Sequence, residues 1–329
     1  MIDRRAFIAS GTALAASFAL PSPLLARQPD GYPPPDLERM VPVEGGRVYV
    51  RVNGAIKGPK LPIVMLHGGP GGTHAHFLTA LALADERPVI LYDQLDSGQS
   101  DRPNDHKNWR VARFVDEVEL VRKAFGIERW HVLGHSWGGT LALEYGARRP
   151  AALCGLALAS PLVSTRSWIV DADVLRRQLP ADAQAKIATC DTAPGPVCDA
   201  GTAAFYRAFN GREPSTMAAS LYARAHPGGF NPKLYNAMWG ASEFVSTGSL
   251  RDYDGEPLLA NLDGKRTLLV KRPGRDLAPH WSPDGSQIVF ATQGGKALGT
   301  IGLQLVPAAG GEPSTSGRRR YGTGAALST

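Results

Sequence analysis

The feature that most constrains the fold of this 329-residue chain is the alternation of short apolar runs with segments of helical periodicity. Runs such as LPIVML at 61–66 and PVILY at 88–92 are apolar throughout, as strands of a buried parallel sheet require. Further strands are predicted at 129–133 and 153–159, and helices at 112–125 and 138–148. The alternation predicts an α/β fold with a doubly wound, mostly parallel sheet. Residues 48–52 alternate in polarity, which predicts an edge strand.

The pattern changes after residue 162. Strand-like runs disappear between about 163 and 250, where stretches rich in alanine, arginine and aromatic residues predict a helical cap. The segment RTLLV at 266–270 predicts a return to the sheet. The predicted organisation is a signal segment, a first part of the core, the cap, a return to the core and a β-rich tail, at 1–26, 27–162, 163–250, 251–270 and 271–329.

The first 26 residues have the order of an export signal. Arg4 and Arg5 precede a short apolar run of small residues, and Pro21 and Pro23 come before Ala26. A paired arginine in this position predicts a twin-arginine signal peptide and a periplasmic or secreted protein, with no stable membrane anchor after cleavage. The alternative is an uncleaved anchor helix, for which the run is short and rich in alanine.

The composition excludes several classes of protein. With 43% hydrophobic and 20% charged residues, the chain is neither disordered, fibrous nor a multi-span membrane protein. The net charge of +6 comes from the last fifth of the chain, which includes Arg318, Arg319 and Arg320. This run predicts a solvated tail and argues against nucleic-acid binding.

Three cysteines are present, and two of them are close together. Cys190 and Cys198 flank a turn rich in proline and glycine, and an oxidising compartment permits a disulfide that closes this short loop. Cys154 lies in an apolar run and is predicted to be a small buried hydrophobic residue.

Residues 134–138 read GHSWG, a G-x-S-x-G motif between a predicted strand and a predicted helix. In this context the motif predicts a nucleophile elbow, in which a tight turn exposes the hydroxyl of Ser136 above the sheet. The alternative is a buried structural serine. His135 is a poor candidate for the base, because adjacent strand residues point to opposite faces.

The glycine-rich segment HGGPG follows the predicted strand at 61–66. Acyl transfer needs N–H donors aimed at a developing oxyanion, and we assign them to the backbones of Gly69 and Trp137. The alternative is an ordinary turn. His67 opens this loop and is predicted to be structural rather than catalytic.

Together HGGPG, YDQLDSGQS and GHSWGG resemble the proline iminopeptidases, serine aminopeptidases of the α/β-hydrolase fold, over about residues 40–270. Residues 221–244 resemble the branch that includes the tricorn-interacting aminopeptidases. Asp96 stands where the family pattern has glycine, and aspartate tolerates a left-handed backbone better than most residues.

The resemblance implies release of N-terminal proline from peptides, without a metal or cofactor. It implies that Glu243 of the cap holds the substrate ammonium group; the alternative is a solvent-facing glutamate. Trp137 and Trp239 are candidates either for a wall of the prolyl pocket or for the core.

The family pattern stops after residue 270. A catalytic acid and a histidine are needed after later strands, and the residues available are Asp276 and His280. His280 comes only four positions after Asp276, which is too short for a parallel crossover between them. His280 therefore needs an unusual loop to serve as the base. The segment APHWSPDGSQIVFAT instead resembles one repeat of the Tol-type periplasmic β-propellers, so the hydrolase is predicted to be truncated before this tail.

Three hypotheses therefore remain open. The chain is an exported serine aminopeptidase with Ser136 as nucleophile, a catalytically inactive hybrid of hydrolase and propeller segments, or a broad-specificity esterase in which Glu243 has no role.

Overall fold

The computed structural model describes residues 31–192, 195–209, 217–226, 228–240 and 242–262, and the backbone of four strands between residues 275 and 315. The residues up to 262 belong to one compact unit and the four strands to a second. Within the described part of the chain, no helix has both the length and the hydropathy that a membrane span requires.

The first unit is built on a mixed, mostly parallel sheet of six strands in the order β1-β2-β4-β3-β5-β6. The strands are β1 (Leu37–Val43), β2 (Gly46–Asn53), β3 (Ile63–Leu66), β4 (Val89–Tyr92), β5 (Trp130–His135) and β6 (Leu153–Ala159). The strands from β3 to β6 are parallel, and the β1–β2 hairpin joins them antiparallel to β4. The predicted fold class is confirmed.

The predicted edge position of residues 48–52 is wrong. These residues lie in β2, which pairs with β1 over residues 46–52 and with β4, on its other side, over residues 50–53. Strand β1 was missed because most of its side chains are exposed, so it carries little apolar pattern. The true edge is therefore a strand that hydrophobic periodicity does not reveal.

Two helices flank the site-bearing strands. They are α1 (Val111–Ala124) and α2 (Trp137–Ala147), and a 3₁₀ segment covers His74–Asp85. On α1, the buried Glu117 forms an ion pair with Arg113 and accepts a hydrogen bond from the Leu95 N–H at 3.2 Å. This contact ties the loop after β4 to the helix.

In the region predicted as a cap, the described residues form five α-helices. They are α3 (Thr165–Arg176), α4 (Ala181–Ala188), α5 (Pro196–Phe209), α6 (Met217–Ala225) and α7 (Pro232–Met238). The side chain of Asn231 caps α7 by accepting the Lys233 N–H at 3.0 Å. Buried apolar side chains of α4 and α5 pack together, among them Ile187 and Phe205.

The predicted disulfide is present, whereas the third cysteine is less buried than predicted. Cys190, in the 3₁₀ turn that follows α4, and Cys198, on α5, form a disulfide, as predicted. Cys154 is only half buried, because β6 is the last strand of the described sheet, and its Sγ accepts a hydrogen bond from the Arg129 Nε–H at 3.0 Å.

The second unit is an antiparallel sheet in the order β10-β9-β8-β7. Its strands are β7 (Arg275–Trp281), β8 (Gln287–Gln293), β9 (Ile301–Pro307) and β10 (Ser314–Thr315). Asp276 and His280 both lie in β7, paired with Thr292 and Val289, and their side chains are outside the described residues. The strand predicted at 266–270 also lies outside them.

Candidate active site

Ser136 lies at the turn between β5 and α2. Its backbone has φ 55° and ψ −123°, a combination that glycine adopts freely and other residues adopt only with strain. The turn is held by hydrogen bonds: the Ser136 N–H donates to the Ala159 carbonyl at 3.1 Å, and the Ser136 carbonyl accepts from Gly139 at 2.8 Å. The backbone therefore has the strained strand-to-helix geometry that a nucleophile elbow requires.

Both glycines of the motif lie where a side chain has no room. A Cβ added at Gly138 would lie 2.5 Å from the carbonyl carbon of Leu66 and 2.7 Å from the carbonyl oxygen of His67. A Cβ added at Gly134 would lie 2.8 Å from the Cβ of Ala142. The start of α2 thus packs directly on the end of β3.

The HGGPG loop passes against the nucleophile turn. A Cβ added at Gly68 would lie 3.1 Å from the Cβ of Ser136, and Gly69 has φ 125°. Trp137 is the first residue of α2, so its backbone N–H has no acceptor within the helix. The two assigned oxyanion donors, Gly69 and Trp137, therefore lie on adjoining elements, the loop after β3 and the first turn of α2. Their role in catalysis stays a prediction.

His67 is held inside the protein as a neutral ring. Only 1% of its surface is exposed, and its Nε2 accepts the Gln94 N–H at 3.1 Å. The proton is then on Nδ1, which lies 2.9 Å from the Gly68 carbonyl oxygen. Burial lowers the pKa of His67 below its ordinary value of 6.5, although the charge of Asp93 opposes this shift. This is the structural role that the sequence predicts for His67.

The buried His67 predicts a loss of stability in mild acid. Because its pKa is lower in the folded chain, the unfolded chain binds more protons below about pH 6.5, and the free energy of unfolding falls as the pH decreases. We expect Tm to drop between about pH 7 and pH 5, and His67→Gln, which keeps an acceptor for Gln94, to flatten this drop. Calorimetric Tm measured against pH tests it, with the exposed His106→Gln as control. Parallel curves for His67→Gln and the unmodified chain would contradict it.

A second buried network lies beside this loop. The Asp93 carboxylate accepts the His74 backbone N–H at 2.7 Å and the Gln99 N–H at 2.8 Å, and lies 2.9 Å from His74 Nδ1. Burial alone raises the pKa of Asp93, but His74 and these hydrogen bonds outweigh it and lower the pKa overall. His74 Nε2 lies 2.6 Å from the hydroxyl of Tyr222 on α6, so the network joins the core to the cap.

Asp96 adopts the left-handed backbone that the family glycine implies, with φ 64°. Its carboxylate accepts the Asn104 N–H at 2.7 Å and the Trp109 indole N–H at 2.8 Å. The departure from the family pattern therefore preserves the turn and adds two hydrogen bonds.

Glu243 lies half buried just after α7. Its Oε1 accepts a hydrogen bond from the Tyr235 hydroxyl at 2.6 Å, and its carbonyl accepts the Trp168 indole N–H at 3.2 Å. Burial first, and then the charge of Glu243, raise the pKa of Tyr235 far above its ordinary range, so Tyr235 stays a donor. The carboxylate is thus held by cap residues; its contact with substrate stays a prediction.

Both candidate pocket tryptophans are core residues. Trp137 is 1% exposed and packs edge-on against Phe114, and Trp239 is 4% exposed and packs edge-on against Trp168. Of the two alternatives, packing in the core is the one that the structure supports.

The remaining predicted residues are placed as follows. The ring of His135 stacks on that of His76, with centroids 4.5 Å apart. The roles of Asp276 as acid and His280 as base stay predictions, since their side chains lie outside the described residues.

Sequence reasoning missed Gln94, His74 and Tyr222. Gln94 and Asp93 lie within the YDQLDSGQS segment, which marked the region without assigning partners. The partner of His74 in the cap is 148 positions away, and local patterns carry no signal for such a contact.

Comparison of the sequence with known families also indicates an α/β-hydrolase. A sequence model of the alpha/beta hydrolase fold matches residues 62–255. This range includes Ser136 and Glu243 and ends before Asp276. The comparisons give no support to the resemblance of residues 271–329 to a Tol-type propeller repeat.

Individual relatives identify which family of α/β-hydrolases the chain belongs to. The proline iminopeptidase of Heyndrickxia coagulans is 38% identical over 66% of this chain and 75% of its own length. The proline iminopeptidase of Lactiplantibacillus plantarum is 34% identical over 73% of this chain and 88% of its own. The crystal structure of proline iminopeptidase from Mycobacterium smegmatis aligns with a TM-score of 0.59 at 36% identity, covering 69% of this chain and 78% of that one. The chain therefore belongs to the proline iminopeptidase family of α/β-hydrolases.

Proposed function

We propose that the chain is a serine aminopeptidase that releases N-terminal proline from peptides through an acyl-enzyme on Ser136. The observation that carries this proposal is the HGGPG loop lying against the nucleophile turn, with Gly68 in near contact with Ser136. The substrate class is supported by the two relatives, at 38% and 34% identity, that are named proline iminopeptidases.

The proposed reaction has two halves. The Oγ of Ser136 attacks the prolyl carbonyl carbon while its proton passes to a base, and the N–H groups of Gly69 and Trp137 donate to the resulting oxyanion. The C–N bond then breaks, and the proton is returned to the leaving amine. Water hydrolyses the prolyl ester and restores Ser136.

Glu243 is the proposed anchor for the substrate. The N-terminal proline carries a secondary ammonium group, and a half-buried carboxylate binds such a cation more strongly than an exposed one does. The Tyr235 hydroxyl occupies one acceptor site of the carboxylate and leaves others for the ammonium group.

Glu243→Gln is expected to discriminate between substrates. Removing the charge should raise KM for proline p-nitroanilide by about 10-fold or more, the cost of a charge-assisted hydrogen bond. It should leave hydrolysis of p-nitrophenyl acetate within about twofold, since that ester has no ammonium group. Steady-state kinetics of the full chain, with Ser136→Ala as background, measure both.

Glu144→Gln is a matched control. Glu144 is also half buried and accepts a tyrosine hydroxyl, that of Tyr253 at 3.2 Å, but lies on α2. It should leave both substrates unaffected. Equal effects of Glu243→Gln on the two substrates would favour a broad esterase. No turnover of either substrate above the Ser136→Ala background would identify an inactive hydrolase and overturn the proposal.

We further propose that the chain is exported to the periplasm or secreted. The paired Arg4 and Arg5 support this location, as does the disulfide of the cap, which an oxidising compartment maintains. N-terminal sequencing of the protein made in cells is expected to find a mature start close to residue 27. Retention of residues 1–26 in the extracytoplasmic protein would contradict cleavage.

A further inference from the structure

The side chain of Gln94 joins the loop and the helix start that carry the two assigned oxyanion donors. Its Oε1 accepts the indole N–H of Trp137 at 2.8 Å, and its Nε2 donates to the His67 carbonyl oxygen at 3.0 Å. Gln94 itself has no exposed surface. One carboxamide therefore spans from the loop after β3 to the first residue of α2.

The backbone of Gln94 strengthens the same connection. Its N–H donates to His67 Nε2 at 3.1 Å, and the opposite ring nitrogen of His67 lies 2.9 Å from the Gly68 carbonyl oxygen. Gly68 immediately precedes Gly69, the assigned donor. A chain of hydrogen bonds thus leads from Gln94 to the peptide that carries the Gly69 N–H.

The loop that holds Gln94 is itself fixed on both sides. The carboxylate of Asp93 binds two backbone N–H groups, and the Leu95 N–H donates to the buried Glu117. A residue anchored in this way transmits its own position to its partners. The carboxamide is neutral and carries both an acceptor, used by the Trp137 indole, and a donor, used by the His67 carbonyl.

We propose that Gln94 is a positioning residue that sets the separation of the Gly69 and Trp137 N–H groups for an oxyanion on Ser136. The inference rests on the proposed function only in taking Ser136 as the nucleophile; it does not depend on proline as substrate. Gln94 acts through Trp137 and His67 and does not touch the reacting atoms.

Phenylboronic acid tests this without requiring turnover. The Ser136 oxygen forms a bond to boron, the serine proton goes to solvent, and the resulting tetrahedral anion places an oxygen at the oxyanion position. The Kd is measured on the full chain by ¹¹B NMR or tryptophan fluorescence, with Ser136→Ala defining non-specific binding. Gln94→Leu keeps a similar volume but breaks both side-chain bonds, and is expected to weaken binding about 10- to 100-fold, less than the loss of a whole donor.

Trp137→Phe is the second variant, since it removes the indole N–H and keeps the backbone N–H. It should also weaken boronate binding. The loss of affinity in the double variant should be smaller than the product of the two single losses, because both substitutions break the same Trp137–Gln94 hydrogen bond. Tyr145→Phe is the matched control: it removes the acceptor of another buried indole, that of Trp130 at 3.3 Å. It should lower Tm without changing the boronate Kd.

The outcomes are distinct. Unchanged boronate affinity in folded Gln94→Leu and Trp137→Phe would overturn the inference, and so would the absence of a Ser136-dependent adduct in the unmodified chain. Weakened affinity equal to that of Tyr145→Phe would also overturn it, since a general packing effect would then suffice. If Gln94→Leu weakens boronate binding but the unmodified chain does not cleave proline p-nitroanilide, the inference stands and the proposed substrate is refuted.

Discussion

Ser136→Gly is expected to abolish turnover at this site while making the protein more stable. Loss of the hydroxyl removes the proposed nucleophile and should lower kcat by at least about 10³-fold. The stability gain comes from the backbone, since φ 55° with ψ −123° strains any residue that has a Cβ. Relief of strain is worth about 1–3 kcal/mol, and the added freedom of glycine in the unfolded chain costs about 0.4–1 kcal/mol. The net gain of roughly 1 kcal/mol corresponds to a Tm rise of about 2–4 °C.

Ser136→Ala separates the two effects. It also lacks the hydroxyl but keeps the Cβ, so it should be as inactive as Ser136→Gly without the rise in Tm. Calorimetry and p-nitrophenyl acetate hydrolysis of both variants make the measurement. A Tm of Ser136→Gly at or below that of Ser136→Ala would show that the turn stores no strain, and the elbow interpretation would lose its physical basis.

Gly138→Ala is expected to destabilise the chain strongly, against the ordinary preference of a helix. Helix propensity alone predicts a gain of about 1 kcal/mol when alanine replaces glycine inside a helix such as α2. Here the new Cβ would lie 2.5 Å from the Leu66 carbonyl carbon and 2.7 Å from the His67 carbonyl oxygen, and neither backbone atom has a rotamer to move into. Overpacking of this kind costs about 1–3 kcal/mol or more, so the steric cost exceeds the propensity gain.

The displacement of α2 should also impair catalysis. To make room, α2 must move away from β3, and Ser136 and the Trp137 N–H move with it. We expect a lower midpoint in urea together with loss of Ser136-dependent ester hydrolysis. Gly229→Ala is the control, because its Cβ would meet no atom within 4 Å; it should change stability by less than about 0.5 kcal/mol. A Gly138→Ala protein as stable and active as the unmodified chain would contradict the close packing of α2 on β3.

Local patterns were sufficient for most of the first unit. The strands β3 and β4 are runs of mostly buried apolar residues, β5 alternates buried and half-buried residues, and β6 is an apolar run that is mostly half buried. The apolar pattern of the sequence is enough to predict all four. The disulfide was also predictable, since Cys190 and Cys198 are separated by 8 positions. Strand β1 was not, because its mostly exposed side chains are specified by pairing with β2 rather than by burial.

The sequence by itself determined the α/β fold class and the nucleophile turn, because both depend on residues close together in the chain. The glycines of GHSWG and the strand and helix that flank them are one local unit. Only the tertiary structure decided that Trp137 and Trp239 belong to the core, that the network of Asp93 and His74 reaches the cap, and that Gln94 bridges His67 and Trp137. Those bonds join residues 27 and 43 positions apart, and a buried polar group chooses such partners only once packing has removed its access to water.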